Sequence, residues 1–141
     1  MPDTVVDSSV VAKWILPESD SARAQRLISE IALKGERLIV LDLAFAEVAN
    51  TIWKRYHRRL ATLAETRQFL EALLRSPVHV EPAMRLLAPA LEIASKYDRS
   101  IYDTLFVALA QDLRLVAVTA DEPLHRVVHA DFPQVVLLRD W

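Results

Sequence analysis

No cysteine occurs among the 141 residues, so disulfides, thiol nucleophiles and cysteine-ligated metals are excluded, and a reducing cytoplasm is the expected setting. There is one glycine, Gly35, and therefore no glycine-rich phosphate loop of the P-loop or dinucleotide kind. No apolar run reaches the roughly 20 residues that a membrane helix needs, which predicts no membrane partner. The opening Met1-Pro2-Asp3-Thr4 has neither the basic start nor the apolar stretch of a secretory signal. Positive charge is not in excess either. The 17 basic residues stand against 19 acidic ones, so a nucleic-acid partner would have to be met by a local basic patch. Apolar residues, by contrast, are plentiful. They make up 52% of the chain, with a mean hydropathy of +0.17, which is rich for a chain of this size. That excess predicts a surface covered by a partner or a second subunit. The length fits one domain, residues 1–141.

Residues 100–121, S-I-Y-D-T-L-F-V-A-L-A-Q-D-L-R-L-V-A-V-T-A-D, organise the reading. Ile101, Leu105, Ala108 and Leu109 recur at helical spacing, with Ser100 as N-cap. Asp103, three residues on, can complete a capping box or complement the positive helix end. Residues 115–120 are a short β-branched run without polar alternation, the pattern of a strand buried on both faces of a parallel sheet. The same alternation runs through the whole chain. Strands are expected at 4–7, 38–41, 78–80, 115–120 and 135–138. Helices are expected from Ser8 to Leu16, from Ser19 or Asp20 to about Lys34, from Asp42 to about Arg59, and from a capping box at Thr62 and Glu65 to about Arg75. Three more follow, from Pro82 or Ala83 to Tyr97, from Ser100, and from Pro123 to Ala130. Strands alternating with helices, without repeats or linkers, predict a three-layer α/β/α fold with a mainly parallel central sheet.

Four acids share one kind of address in that plan. Asp7 ends the first strand and Glu47 lies early in the helix after the second. Asp103 opens a helix, and Asp121 follows the fourth strand. In open α/β sheets these places face one edge, where ligands bind. No Lys or Arg is adjacent in sequence to offset them, and two carboxylates about 4 Å apart repel by about 4 kcal/mol at an effective dielectric near 20. Hard divalent cations offset such charge, and all-oxygen sites suit Mg²⁺ or Mn²⁺. Each Asp could instead be a helix cap. Glu47 is harder to dismiss, because it lies among Ala46, Val48 and Ala49 on a helix that reads as buried.

At this point the chain resembles the PIN-domain nucleases, and within them the VapC-type toxins of toxin–antitoxin pairs. The resemblance rests on V-V-D-S-S-V at 5–10, A-E-V-A-N at 46–50, Y-D-T-L-F-V-A-L-A at 102–110 and V-T-A-D at 118–121. It implies that Asp7, Glu47, Asp103 and Asp121 form a metal-binding acidic quartet, with Ser8 (or Ser9) and Thr119 positioning water or a metal-bound group. The implied activity is Mg²⁺- or Mn²⁺-dependent endoribonuclease cleavage of tRNA or another structured RNA. The implied partners are a cognate VapB-like antitoxin and a second copy in a homodimer. Arg114 departs from the family pattern, which often has Gly there, so its helix would need another way to end.

The densest basic run is residues 54–59, where Lys54, Arg55, Arg58 and Arg59 could contact RNA phosphate, with Tyr56 or Trp53 available for stacking. As cations at a helix end they could equally serve the helix dipole. Lys13 and Arg99 lie closer to the acids and are further phosphate candidates. His125 and His129, four apart, read as a surface helix rather than a metal pair. Asp42 and Asp98 read as caps or turn residues, and Trp14 and Trp141 as packing or interface groups. The helix after Thr62 carries Leu63, Phe69, Leu70, Leu73 and Leu74 and serves the core, a dimer or an antitoxin. A non-catalytic PIN-like module is the alternative function. A phosphatase or receiver is disfavoured, because Asp7 is followed by Ser8 and Ser9 and no Lys follows Asp121.

Overall fold

The computed structural model describes residues 3–141. The elements run β1 (Thr4–Val6), α1 (Ser8–Ile15), α2 (Ser21–Leu33), β2 (Leu38–Leu41), α3 (Leu43–His57), α4 (Leu63–Leu74) and β3 (Val78–Glu81). They continue as a 3₁₀ turn (Met84–Leu86), α5 (Leu87–Tyr97), α6 (Ile101–Leu113), β4 (Ala117–Thr119), α7 (Glu122–Val128), β5 (Val135–Leu137) and a final 3₁₀ turn (Leu138–Asp140). Every strand pairing is parallel, in the order β3-β2-β1-β4-β5. Side chains alternate across the sheet because a strand has a period of two. Val6, Leu38, Val40 and Val118 pack under α1 to α4, while Val5, Ile39, Leu41 and Ala117 pack under α5 to α7. The result is three layers, as the strand–helix alternation predicts.

The order of the strands positions the site. From β1 the chain winds outward through β2 and β3, then returns to the other flank of β1 for β4 and β5. The connections therefore leave β1 and β4 in opposite directions, and a crevice opens at their carboxyl ends. Asp7 and Asp121 stand there.

Local chemistry sets most boundaries. Thr62 and Glu65 form a reciprocal capping box on α4. Gly35, at φ +70°, ends α2 with paired bonds from its own N–H to Ala32 and from Glu36 N–H to Ile31. Several details differ from expectation. Asp20 precedes α2 in the left-handed conformation and makes no side-chain cap, while Ser21 Oγ ties the turn to Leu16 and Glu18. Asp42 does not cap α3 and accepts instead from Ala83 N–H at 3.2 Å. The helix expected from Pro82 starts later, as a 3₁₀ turn followed by α5. Pro89 falls in the first turn of α5, where a missing N–H costs nothing. Arg114 needs no substitute for glycine: it adopts the left-handed conformation itself, φ +55°, and closes α6. Asp98 does the same at the end of α5, φ +54°. Trp14 is buried and donates to Ser76.

Candidate active site

Asp7 leaves β1 with its carboxylate pointing back under its own helix, where Val10 N–H donates to it at 3.2 Å. Two hydroxyls also donate to it, Ser9 Oγ to one oxygen and Thr119 Oγ1 to the other. Each hydroxyl in turn accepts a backbone N–H from the turn after β4, Ser9 from Ala120 at 2.9 Å and Thr119 from Asp121 at 3.0 Å. Two short relays therefore tie the ends of β1 and β4 together through one carboxylate. Burial pushes the Asp7 carboxyl up to about 6. The hydrogen bonds from Ser9, Thr119 and Val10 resist that rise, and the negative charge of Asp121 adds to it.

Glu47 reaches the same place from α3, which starts directly beyond β2. Its carboxyl is also raised, first by burial and then by the charges of Asp7 and Asp103, against the pull of the Ser8 hydroxyl. The helix is less buried than its sequence suggests. Only Ala44, Val48 and Ile52 are enclosed, and Ala46 and Asn50 face solvent, so Glu47 looks into a cleft and not into the core. Asp121 caps α7 by accepting from Leu124 N–H at 3.0 Å. Asp103 does not complete a capping box: Ser100 accepts its N–H at 3.3 Å, but its carboxylate turns to Arg99.

All four acids, with Ser8 and Ser9, line one cleft of about 70 Å³, together with Tyr102 and Phe106. That is room for a few waters or a small hydrated ion. Thr119 is fully buried and stands behind Asp7 rather than in the cleft.

No cation adjoins the acids in sequence, but folding brings Arg99 against two of them. Its guanidinium lies 3.0 Å from Asp103, one helical turn ahead of it, and 3.9 Å from Asp121, at the border of the cleft that these two acids line. The signal was present as an i,i+4 Arg–Asp spacing, but it straddles the start of α6 and so reads as loop followed by helix. Arg99 thus meets carboxylates and not the open surface expected of a phosphate contact. Lys13 is likewise occupied, donating to Ser19 O at 2.9 Å at the end of α1. Lys54, Arg58 and Arg59 are exposed at the far end of α3, about 10 Å along the helix from Glu47 or further. Trp53 and His57 stack beside them at 4.9 Å. His125 and His129 stack on the surface of α7.

The donors in the cleft are all oxygen, the kind that hard dications take. As the side chains stand, no three acidic or imidazole groups among the described residues are grouped to hold a metal. Instead two hydroxyls hold Asp7, and one guanidinium is bonded to Asp103 with Asp121 3.9 Å away. The residues fit a hard dication in kind, provided that Arg99 withdraws.

A parallel sheet whose carboxyl edge gathers four carboxylates around one small cleft defines an acidic-site α/β class. Comparison with known proteins agrees. The PIN domain family model matches residues 4–130. Ribonuclease VapC3 of Pyrobaculum aerophilum is 34% identical over 122 residues, spanning 85% of this chain and 90% of its own length. The crystal structure of PAE2754 from Pyrobaculum aerophilum shares the fold with a TM-score of 0.75 at 22% identity, over 99% of this chain and 85% of that one. A toxin–antitoxin complex from Klebsiella pneumoniae contains a chain of the same fold, with a TM-score of 0.64 at 18% identity over 96% and 98% of the two chains. This chain belongs to the PIN-domain family and is of the VapC type.

Proposed function

We propose that the chain is a Mg²⁺- or Mn²⁺-dependent endoribonuclease, the toxin of a toxin–antitoxin pair, cutting tRNA or another structured RNA in the cytoplasm. One observation carries the reading: four carboxylates from four separate segments line a single cleft at the sheet edge. A divalent ion bound there supplies Lewis-acid activation of water and shields phosphate charge. Asp7 and Asp103 are the main ligands in this reading, and Glu47 and Asp121 complete the set. The Ser9 and Thr119 hydroxyls hold Asp7 ionised and oriented despite its burial. A carboxylate of the cleft aligns the attacking water with the phosphorus, leaving 5′-phosphate and 3′-hydroxyl ends.

The exposed cations Lys54, Arg58 and Arg59, with Trp53, extend the cleft with a phosphate- and base-binding surface. Partner chains account for the apolar excess. Leu63, Leu70 and Leu74 are exposed on α4, and Met84, Leu87 and Leu91 form a second exposed stripe at and before α5. Two such faces suit an antitoxin and a second copy in a homodimer. No helix among the described residues is long and apolar enough to cross a membrane.

The test is RNA cleavage by wild type, Asp7→Asn and Glu47→Gln with Mg²⁺, with Mn²⁺ and with EDTA. We expect both substitutions and EDTA to reduce cleavage by about 100-fold or more. Undiminished cleavage by Asp7→Asn would overturn the assignment, and inertness of wild type with both metals across several RNAs would favour a binding module.

A further inference from the structure

The cleft treats its four acids unequally. Asp7 and Glu47 are met by hydroxyls, whereas Asp103 and Asp121 share one guanidinium, Asp121 also accepting the Leu124 N–H. Arg99 is fixed at its base. It lies in the three-residue link between α5 and α6, just after the left-handed Asp98, and its own N–H bonds Ala94 O at 3.3 Å. Only the side chain is free to move. At its parked position that side chain is poorly served: Nε is buried and has no hydrogen-bond partner among the described residues. A buried N–H without an acceptor is costly. The arrangement therefore offsets part of the charge of two carboxylates, yet it leaves one donor unsatisfied that would regain water on swinging out.

We infer that Arg99 is a built-in counter-ion, drawn against Asp103 and Asp121 at the border of the cleft in the metal-free protein, and that a divalent ion must displace it to bind these two acids. The inference rests on reading the cleft as a metal site. Arg99 then acts as a positioning residue: it keeps the acids together without metal and sets the metal concentration at which the site loads. A purely structural Arg99 would have the opposite consequence. Its removal would let Asp103 and Asp121 repel each other and drift apart, and metal affinity would fall or stay the same.

The sign of the change is the test. Mn²⁺ binding is measured by calorimetry, and by the loss of the free-ion electron paramagnetic signal, on wild type, Arg99→Gln and Arg99→Lys. Thermal unfolding is followed in EDTA and at saturating Mn²⁺. Removing a positive charge within a few ångströms of a dication is expected to tighten Mn²⁺ binding by about tenfold or more in Arg99→Gln. Arg99→Lys, which keeps the charge on a shorter and more strongly hydrated head group, is expected to fall between. Arg99→Gln is also expected to melt below wild type in EDTA, with the gap closing in Mn²⁺. Equal or weaker Mn²⁺ binding by Arg99→Gln, with wild type binding normally, overturns the role of Arg99 and leaves the metal site standing. Absence of Mn²⁺ binding in all three proteins overturns the metal reading and this inference with it.

Discussion

Thr119, at the end of β4, donates its hydroxyl to the carboxylate of Asp7, at the end of β1, across 112 positions of sequence. Thr119 is fully buried and also accepts the N–H of Asp121, so one hydroxyl orients two acids of the cleft. Thr119→Val keeps the shape and removes both bonds. Asp7 then loses one of the hydrogen bonds that resist its upward shift, and its carboxyl should titrate above its present value of about 6. Carboxyl NMR in EDTA reads this directly. Thr119→Ser should restore the wild-type titration, and an unchanged Asp7 in Thr119→Val would show that the bond is not supporting the carboxylate.

The raised Asp7 also fixes how stability depends on pH. Its folded-state value of about 6 lies above the ordinary 3.8, so folding favours the protonated form. That contribution is complete below 3.8 and is lost as pH rises through 6, which means ionised Asp7 weakens the metal-free protein at neutral pH. Glu47 is shifted in the same direction. In EDTA, Asp7→Asn should therefore be more stable than wild type at pH 8, by about 3 kcal/mol at most, and the difference should shrink towards pH 4. Denaturant unfolding at the two pH values measures it. A variant less stable than wild type at pH 8 would contradict the assigned cost of this charge.

Much of this was readable in the sequence, and for physical reasons. Apolar β-branched runs such as residues 38–41 occur where a strand is covered on both faces, and acids placed after such runs must reach the carboxyl edge of a parallel sheet. Thr62 and Glu65 declare a helix start because the two side chains satisfy each other's backbone N–H groups. What stayed hidden depends on side chains that meet only after folding. Ser9 appeared merely as an alternative to Ser8, yet the two divide the work, Ser9 holding Asp7 and Ser8 facing Glu47. Arg99 shows a helical spacing to Asp103, but its second partner, Asp121, comes from beyond β4. Arg114 was hidden for another reason. Left-handed backbone is read from glycine, and here arginine takes it at a cost that local sequence does not reveal.

That cost makes a prediction remote from the site. A non-glycine residue in the left-handed region pays about 1–2 kcal/mol, and glycine gives back about 0.5–1 kcal/mol through its freer unfolded state. Arg114 makes no ion pair among the described residues that would offset the change. Arg114→Gly should stabilise the protein by about 0.5–1 kcal/mol, or roughly 2–4 °C in Tm for a chain of this size. Arg114→Val, whose branched Cβ is worse there, should destabilise it. Equal melting of the two variants would mean that the turn after α6 relaxes out of the left-handed conformation.

The basic end of α3 gives the last prediction, because it separates RNA binding from catalysis. Lys54, Arg58 and Arg59 are exposed, lie about 10 Å or more from Glu47 along the helix, and make no ion pair among the described residues. If they neutralise phosphates, each contact releases about 0.7 counterion equivalents from a single strand and about 0.9 from a duplex, and affinity falls with salt in proportion. In an Asp7→Asn background, expected to bind without cutting, the triple change to Gln should flatten the plot of log affinity against log salt by about two to three. Binding at low salt should weaken accordingly, while the same triple change made in the wild-type background should leave Mn²⁺ affinity as in wild type, because it does not touch the cleft. An unchanged slope would return these cations to service of the α3 dipole and leave RNA to be held by the cleft and its rim.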